Sequence, residues 1–124
     1  MSKIIVLDDD AQFRGMLQRI LEKVGYEVQC VESAKSLMSE LRVSEVDLIV
    51  TDIIMPEQDG IQTITEVKKE FPEAKIIAIS GGGRFGPASY LDTAQMLGAC
   101  RSFEKPLNMP EFLEAVETEL TAVS

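Results

Sequence analysis

The chain has 124 residues, of which 45% are hydrophobic and 27% are charged, and its formal net charge is −9. This length predicts one domain with a core of its own, and the composition is typical of a globular protein. The acidic balance argues against nonspecific nucleic-acid binding, which needs a basic face, and the lack of histidine excludes imidazole catalysis and histidine metal sites.

Strand-like and helix-like patterns of hydrophobic residues alternate along the chain. Short apolar or alternating runs predict strands at Lys3–Leu7, Tyr26–Val31, Val46–Val50, Lys75–Ile79 and Arg101–Glu104. Apolar residues at three- and four-residue steps predict helices that begin near Phe13, Ala34, Ile61, Leu91 and Met109. Asp10 and Asn108 are placed to cap the first and last helix, and Gly25 to end the first.

The five alternations predict a parallel sheet with helices on both faces. The first, third and fourth strands are continuously apolar and therefore central, whereas the second and fifth are mixed and therefore edges. Right-handed crossovers then favour the strand order 2-1-3-4-5. The predicted fold is the doubly wound, flavodoxin-like (βα)5 α/β fold, as a single domain over residues 1–124.

No apolar run approaches the length of a membrane span, and the N-terminus lacks the pattern of a signal peptide. We therefore expect a cytoplasmic protein that does not insert into a membrane. Cys30 and Cys100 lie far apart in no metal-ligand spacing, so we expect both to be reduced, partly buried packing residues.

Polar side chains follow four of the five predicted strands, at the edge of the sheet where α/β proteins place their sites. They are Asp8, Asp9 and Asp10 after the first strand, Asp52 after the third, Ser80 after the fourth and Lys105 after the fifth. In the predicted strand order these groups can converge on Asp52.

Carboxylates gathered at one place resist ionising together, and a divalent cation with a preference for oxygen relieves that repulsion. Mg²⁺ typically binds one or two carboxylates and keeps several waters. A cation, the Ser80 hydroxyl and the Lys105 ammonium around Asp52 would suit a phosphoryl group on this aspartate, which can act as a nucleophile. For Asp10 we prefer the role of helix cap.

These motifs resemble the receiver domain of two-component response regulators, in particular its free-standing chemotaxis-type members. The matching residues are Asp8-Asp9, Asp52 within Asp52-x-x-Met-Pro-x-x-Asp-Gly60, Ser80, and Lys105-Pro106. They cover essentially the whole chain in order and spacing.

The resemblance implies that Asp52 accepts a phosphoryl group from a histidine kinase or phosphotransfer protein. Mg²⁺ would be bound by Asp9, Asp52 and the backbone carbonyl of Ile54, with Asp8 acting through water. Ser80 and Lys105 would contact the phosphoryl oxygens, and the Lys105–Pro106 bond would be cis. The chain would be a regulatory phosphoacceptor rather than an enzyme. Its output would come from a downstream target protein, with homodimerisation through the face of helix 4, strand 5 and helix 5 as an option.

Three positions depart from the family pattern. Ser102 stands where an aromatic usually precedes the lysine, and Phe103 should point to the opposite face of its strand. Ile54 is apolar where many relatives carry a polar side chain, which predicts slow self-dephosphorylation. The glycine-rich loop from Gly81 to Pro87 is longer than usual, and we expect Arg84, Phe85 and Tyr90 to form a partner-recognition patch.

Other functions share some of these features. A degenerate receiver that binds partners without phosphate is favoured only by the missing aromatic at Ser102. An aspartate-nucleophile phosphatase would use Asp8-x-Asp10, but Gln12 replaces the expected residue and a cap domain would not fit. A flavin-binding electron carrier would need phosphate donors where this chain has three aspartates.

Overall fold

The computed structural model of the chain describes residues 2–55, 58–80, 95 and 98–121. Its main sheet has five parallel strands, which are β1 (Lys3–Leu7), β2 (Glu27–Val31), β3 (Leu48–Asp52), β6 (Ile76–Ser80) and β7 (Arg101–Glu104). The order across the sheet is β2-β1-β3-β6-β7, which confirms the predicted order 2-1-3-4-5. Two further strands, β4 (Ile54–Met55) and β5 (Gln58–Asp59), pair with each other in antiparallel fashion.

Four helices lie within the described residues, namely α1 (Ala11–Val24), α2 (Ala34–Val43), α3 (Gly60–Glu70) and α4 (Met109–Thr121). The predicted helix near Leu91 falls outside the described residues, except for the helical Gln95. Asp10 caps α1 by accepting from two backbone N–H groups, and Asn108 accepts from the N–H of Glu111 at the start of α4. Gly25 ends α1 at a φ of 116°, a left-handed conformation that glycine adopts without steric cost.

The third strand begins and ends two residues later than the sequence pattern predicts. Thr51 and Asp52 pair with Ala78 and Ile79 of β6, so hydrogen bonding to a neighbour carries the strand through Asp52. The short β4–β5 pair was not predicted at all, because two-residue strands leave no periodic signal.

Both faces of the sheet are covered, as its continuously apolar central strands predict. Alternate residues of β1 point to opposite sides, with Ile5 and Leu7 in one core cluster and Ile4 and Val6 in the other. The first cluster includes residues of α2 and α3. The second cluster includes residues of α1 and α4, among them the fully buried Phe112.

Both cysteines are free. Cys30 is half-buried, as expected, but the expectation that Cys100 is partly buried is wrong because this residue is exposed. It directly precedes β7, an edge strand of the sheet, where no further described strand covers it. Among the described residues no helix is long and apolar enough to cross a bilayer.

Candidate functional site

The carboxyl ends of four neighbouring strands bring the predicted polar residues to one edge of the sheet. Asp8 follows β1, Asp52 ends β3, Ser80 ends β6 and Lys105 follows β7. Three of these four side chains are buried, since Asp8 is 1% exposed, Asp52 5% and Ser80 0%. The strand order alone therefore assembles a buried polar site around Asp52.

Lys105 links the two buried aspartates. Its Nζ atom donates hydrogen bonds to Oδ2 of Asp8 and to Oδ2 of Asp52, and each N···O distance is 3.1 Å. The same nitrogen lies 4.1 Å from the centre of the Phe13 ring. The Lys105–Pro106 peptide bond is cis, as the resemblance implies.

The pKa values of Asp8 and Lys105 are shifted both by burial and by the charges beside them. Burial raises the pKa of Asp8, and the nearby Asp52 adds to this, whereas the N–H of Asp10 and the ammonium of Lys105 act against it. Burial by itself lowers the pKa of Lys105, but the charges of Asp52 and Asp8 outweigh burial, so this pKa is raised. Lys105 is thus held as a cation between two carboxylates.

Asp8, Asp9 and Asp52 also form an acidic group that suits a metal ion. One oxygen from each carboxylate lies within 4.8 Å of one from each of the others, and Asp9 is exposed whereas the other two are buried. An all-oxygen donor set with room for water is what Mg²⁺ prefers. Asp10 is not part of this group, because its carboxylate caps α1 while its N–H donates to Oδ1 of Asp8 over 2.8 Å.

The hydroxyl oxygen of Ser80 is buried and has no hydrogen-bond partner within the described residues. A buried polar group without a partner costs about 1–3 kcal/mol. Such a group at the end of β6, beside the strand that ends in Asp52, fits a site that binds an oxygen-rich ligand. The carboxylate set and this hydroxyl together fit Mg²⁺ and a phosphoryl group.

A comparison with known protein families agrees with this geometry. The model of the response regulator receiver domain matches residues 4–117. The chain belongs to the response regulator receiver domain family.

Individual relatives of this receiver domain fall into two groups by length. The chemotaxis protein CheY of Bacillus subtilis is 34% identical over 119 residues, which cover 95% of this chain and 97% of that protein. The DNA-binding transcriptional regulator NtrC of Azospirillum brasilense is 32% identical over 119 residues, and the match covers 96% of this chain but only 24% of that protein. The chain thus spans about a quarter of the length of such regulators.

Solved structures show the same fold. The response regulator protein TrrA from Thermotoga maritima, solved in complex with Mg(2+)-BeF, superposes with a TM-score of 0.83 at 27% identity. The match covers 96% of this chain and 99% of that one. The Mg(2+)-BeF complex is a property of that protein, and it bears on this receiver domain only by analogy.

The position of Ser102 in this receiver domain is structurally distinct from that of its neighbour Phe103. Ser102 pairs with Ala78 of β6, whose side chain belongs to the first core cluster. Phe103 packs against the second cluster, with its ring centre 5.7 Å from that of Phe112 and the rings at 75°. As the alternation along the strand predicts, Phe103 therefore cannot take the place of an aromatic at Ser102.

Two residues of the site were missed by sequence reasoning. Nη1 of Arg14 donates to the backbone oxygen of Asp8 at a distance of 2.7 Å. This hydrogen bond connects α1 to the segment that contains Asp8 and Asp9. The sequence pattern places Phe13 only among the apolar residues of the first helix, yet its ring faces Lys105. No local pattern marks the contact of Phe13 with Lys105, because these two residues lie far apart in the sequence.

Some predicted site residues remain predictions. The loop from Gly81 to Pro87, together with Arg84, Phe85 and Tyr90, lies outside the described residues. The backbone of Ile54 pairs with Asp59 in the β4–β5 ladder, two residues after Asp52. Its role as a carbonyl ligand stays a prediction.

Proposed function

We propose that this receiver domain is a phospho-accepting switch in which Asp52 takes a phosphoryl group from a histidine kinase or phosphotransfer protein. The observation that carries the proposal is the convergence on Asp52: Lys105 donates to it over 3.1 Å, and Asp8 and Asp9 lie within metal-binding distance. The buried hydroxyl of Ser80, which has no hydrogen-bond partner among the described residues, supports the same interpretation.

The transfer step follows from the nucleophilic character of a carboxylate. An oxygen of Asp52 attacks the phosphorus of a phosphohistidine, and a P–O bond forms while the P–N bond breaks. The electron pair of that bond returns to the imidazole nitrogen of the donor, which takes up a proton. Lys105 and Ser80 contact the oxygens of the phosphoryl group and stabilise the charge that they carry during transfer.

Mg²⁺ fits the acidic group of the site. Asp9, Asp52 and the backbone carbonyl of Ile54 would bind it directly, and Asp8 through water. When bound, the ion neutralises phosphoryl oxygens and orients the donor. The role of this chain's carboxylates is to hold that charge at the edge of the sheet next to the nucleophile. Their mutual repulsion favours a divalent cation there.

We propose that phosphorylation changes the binding of a partner and that the chain does not catalyse turnover of a separate substrate. Phosphorylation adds roughly two negative charges and three acceptor oxygens to the end of β3, and Ser80 and Lys105 would be drawn toward them. Receiver domains act between histidine kinases and effector proteins. The readout would lie on the face of the predicted fourth helix, β7 and α4, either with a downstream target or with a second copy of the chain. Nucleic acid is not a proposed partner.

Incubation with acetyl phosphate and Mg²⁺, followed by intact mass spectrometry, tests the proposal directly. We expect one phosphoryl adduct on the wild-type chain and none on Asp52→Asn. Asp10→Asn is the matched control: it removes a carboxylate from the same acidic run, while asparagine can still cap α1. This variant should form the adduct as the wild type does.

The other outcomes separate the rival functions. No adduct on the wild type would favour a receiver that binds partners without phosphate. Steady release of inorganic phosphate from generic phosphate esters, without a stable adduct, would favour an aspartate-nucleophile phosphatase. An adduct that persists in Asp52→Asn would place the acceptor elsewhere and overturn the assignment.

A further inference from the structure

We propose that Phe13 is a positioning residue for Lys105: its ring holds the ammonium on the side that the carboxylates leave open. The proposal rests on the proposed phosphorylation of Asp52 for its functional consequence but not for its geometry. The structural basis is the distance of 4.1 Å between Nζ of Lys105 and the centre of the Phe13 ring. A cation this close to an aromatic face is attracted by the quadrupole of the ring.

The surroundings of the ammonium make the ring its natural third partner. Asp8 and Asp52 each accept one of its hydrogen bonds at 3.1 Å, and the side chain of Lys105 is only 19% exposed. On the remaining side the lysine opens onto an apolar groove of about 540 Å³, and among the described residues no acidic side chain lines it. The groove is lined by Phe13, Met16, Lys105, Pro106, Leu107 and Met109.

The Phe13 ring is itself held in place by two independent features. Its backbone N–H donates to Oδ1 of the capping residue Asp10 over 3.3 Å, which sets the first turn of α1. Its side chain packs against the second core cluster, the one that contains Phe112. The capped first turn and the packing of the side chain together support the position of the ring beside Lys105.

An aromatic face has a property that a third carboxylate would lack. It attracts the ammonium without supplying a formal negative charge, so it does not compete with an incoming phosphoryl oxygen for the positive charge of Lys105. When Asp52 becomes phosphorylated, Lys105 must exchange a carboxylate contact for a phosphoryl contact. The ring contact can persist through that exchange and keep Nζ near the reacting oxygens, where positioning supports the rate.

Two substitutions distinguish the effect of the aromatic face from the effect of the side-chain volume. Phe13→Leu keeps an apolar side chain but removes the aromatic face, whereas Phe13→Tyr keeps the face. Leu113→Ala serves as a control for general loss of packing, because Leu113 packs against the same core cluster but does not line the groove beside Lys105.

The first measurement is structural and does not depend on phosphorylation. In ¹³C–¹H spectra of the unphosphorylated protein, the CεH₂ signal of Lys105 should show a ring-current shift. We expect that shift to disappear in Phe13→Leu and to remain in Phe13→Tyr and Leu113→Ala. If the Lys105 signal is the same in Phe13→Leu as in the wild type, the geometric part of the proposal is wrong.

The second measurement is the rate of phosphorylation by acetyl phosphate in the presence of Mg²⁺. We expect Phe13→Leu to be about three- to tenfold slower than wild type, with Phe13→Tyr close to wild type. An unchanged rate in Phe13→Leu, or an equal loss in Leu113→Ala, would overturn the positioning role. If the wild type itself takes up no phosphoryl group, the proposed function fails, and the spectra still decide whether Phe13 holds Lys105.

Discussion

Replacing Lys105 with methionine should destabilise the fold, because it removes the only cation seen between two buried carboxylates in the described part of the chain. Methionine keeps most of the apolar stem and loses the charge. At an effective dielectric constant of about 20, two unit charges 3.1 Å apart attract by about 5 kcal/mol before desolvation is counted. Breaking a buried ion pair on one side typically costs about 3–5 kcal/mol. We expect Lys105→Met to lower the free energy of unfolding by about 3 kcal/mol at neutral pH.

The pH dependence of this loss has a definite sign. Burial already raises the pKa of Asp8 above its unfolded value, and removing Lys105 removes a contact that lowers it. A carboxyl group with a raised folded-state pKa stabilises the fold below its unfolded pKa, and this contribution is lost as pH rises through the folded pKa. The deficit of Lys105→Met should therefore shrink as pH falls below neutral toward the ordinary range of aspartate.

Urea unfolding in the presence of a chelator measures the effect without a bound metal ion. The chain has no tryptophan, so far-UV circular dichroism is the suitable signal. The matched second variant is Asp8→Asn/Lys105→Met, which also removes the charge of one of the two carboxylates that lose the Lys105 ammonium and should recover much of the loss. A Lys105→Met protein within about 0.5 kcal/mol of wild type, or a double variant no more stable than the single one, would show that the Lys105 ammonium does not stabilise the two buried carboxylates.

Three further outcomes are expected. Asp9→Asn should weaken binding of Mg²⁺ by about tenfold or more in calorimetry, since it removes one of three carboxylates, and an unchanged affinity would contradict the metal site. Ile54→Asn should shorten the lifetime of the phosphoryl adduct, because an amide can orient the attacking water; intact mass spectrometry over time measures that lifetime. An equal or longer lifetime would contradict the expectation that Ile54 slows self-dephosphorylation. Phe112→Ala should lower the free energy of unfolding by about 3–5 kcal/mol, since Phe112 is fully buried and packs edge-on against Phe103; a loss under about 1 kcal/mol would be inconsistent with that packing.

Much of the fold could be predicted because its signals are local. The apolar runs distinguished central strands from edge strands and so predicted the strand order. Asp10 and Gly25 predicted the two ends of α1. The end of β3 was misplaced because pairing with β6, rather than any property of Thr51 and Asp52 themselves, keeps those residues in the ladder. The β4–β5 pair was missed for the same reason, since strands of two residues exist only through their partner.

The residues at the ends of the parallel strands can be identified from the order of amino acids alone. An apolar strand followed by an aspartate, a serine or a lysine is visible in the order of residues, and parallel strands place their carboxyl ends together. The sequence also determined that Ser102 and Phe103 face opposite sides, because side chains alternate along a strand.

How these groups contact one another depends on the folded chain. Lys105 is separated from Asp8 by 97 positions and from Asp52 by 53, so no local pattern could show that one nitrogen bonds to both. The contact of Phe13 with that nitrogen is likewise a product of packing. So is the burial of the Ser80 hydroxyl away from any hydrogen-bond partner within the described part of the chain. The physical reason is that strand and helix signals act over a few residues, whereas charge pairing and burial depend on distances that exist only once the chain has folded.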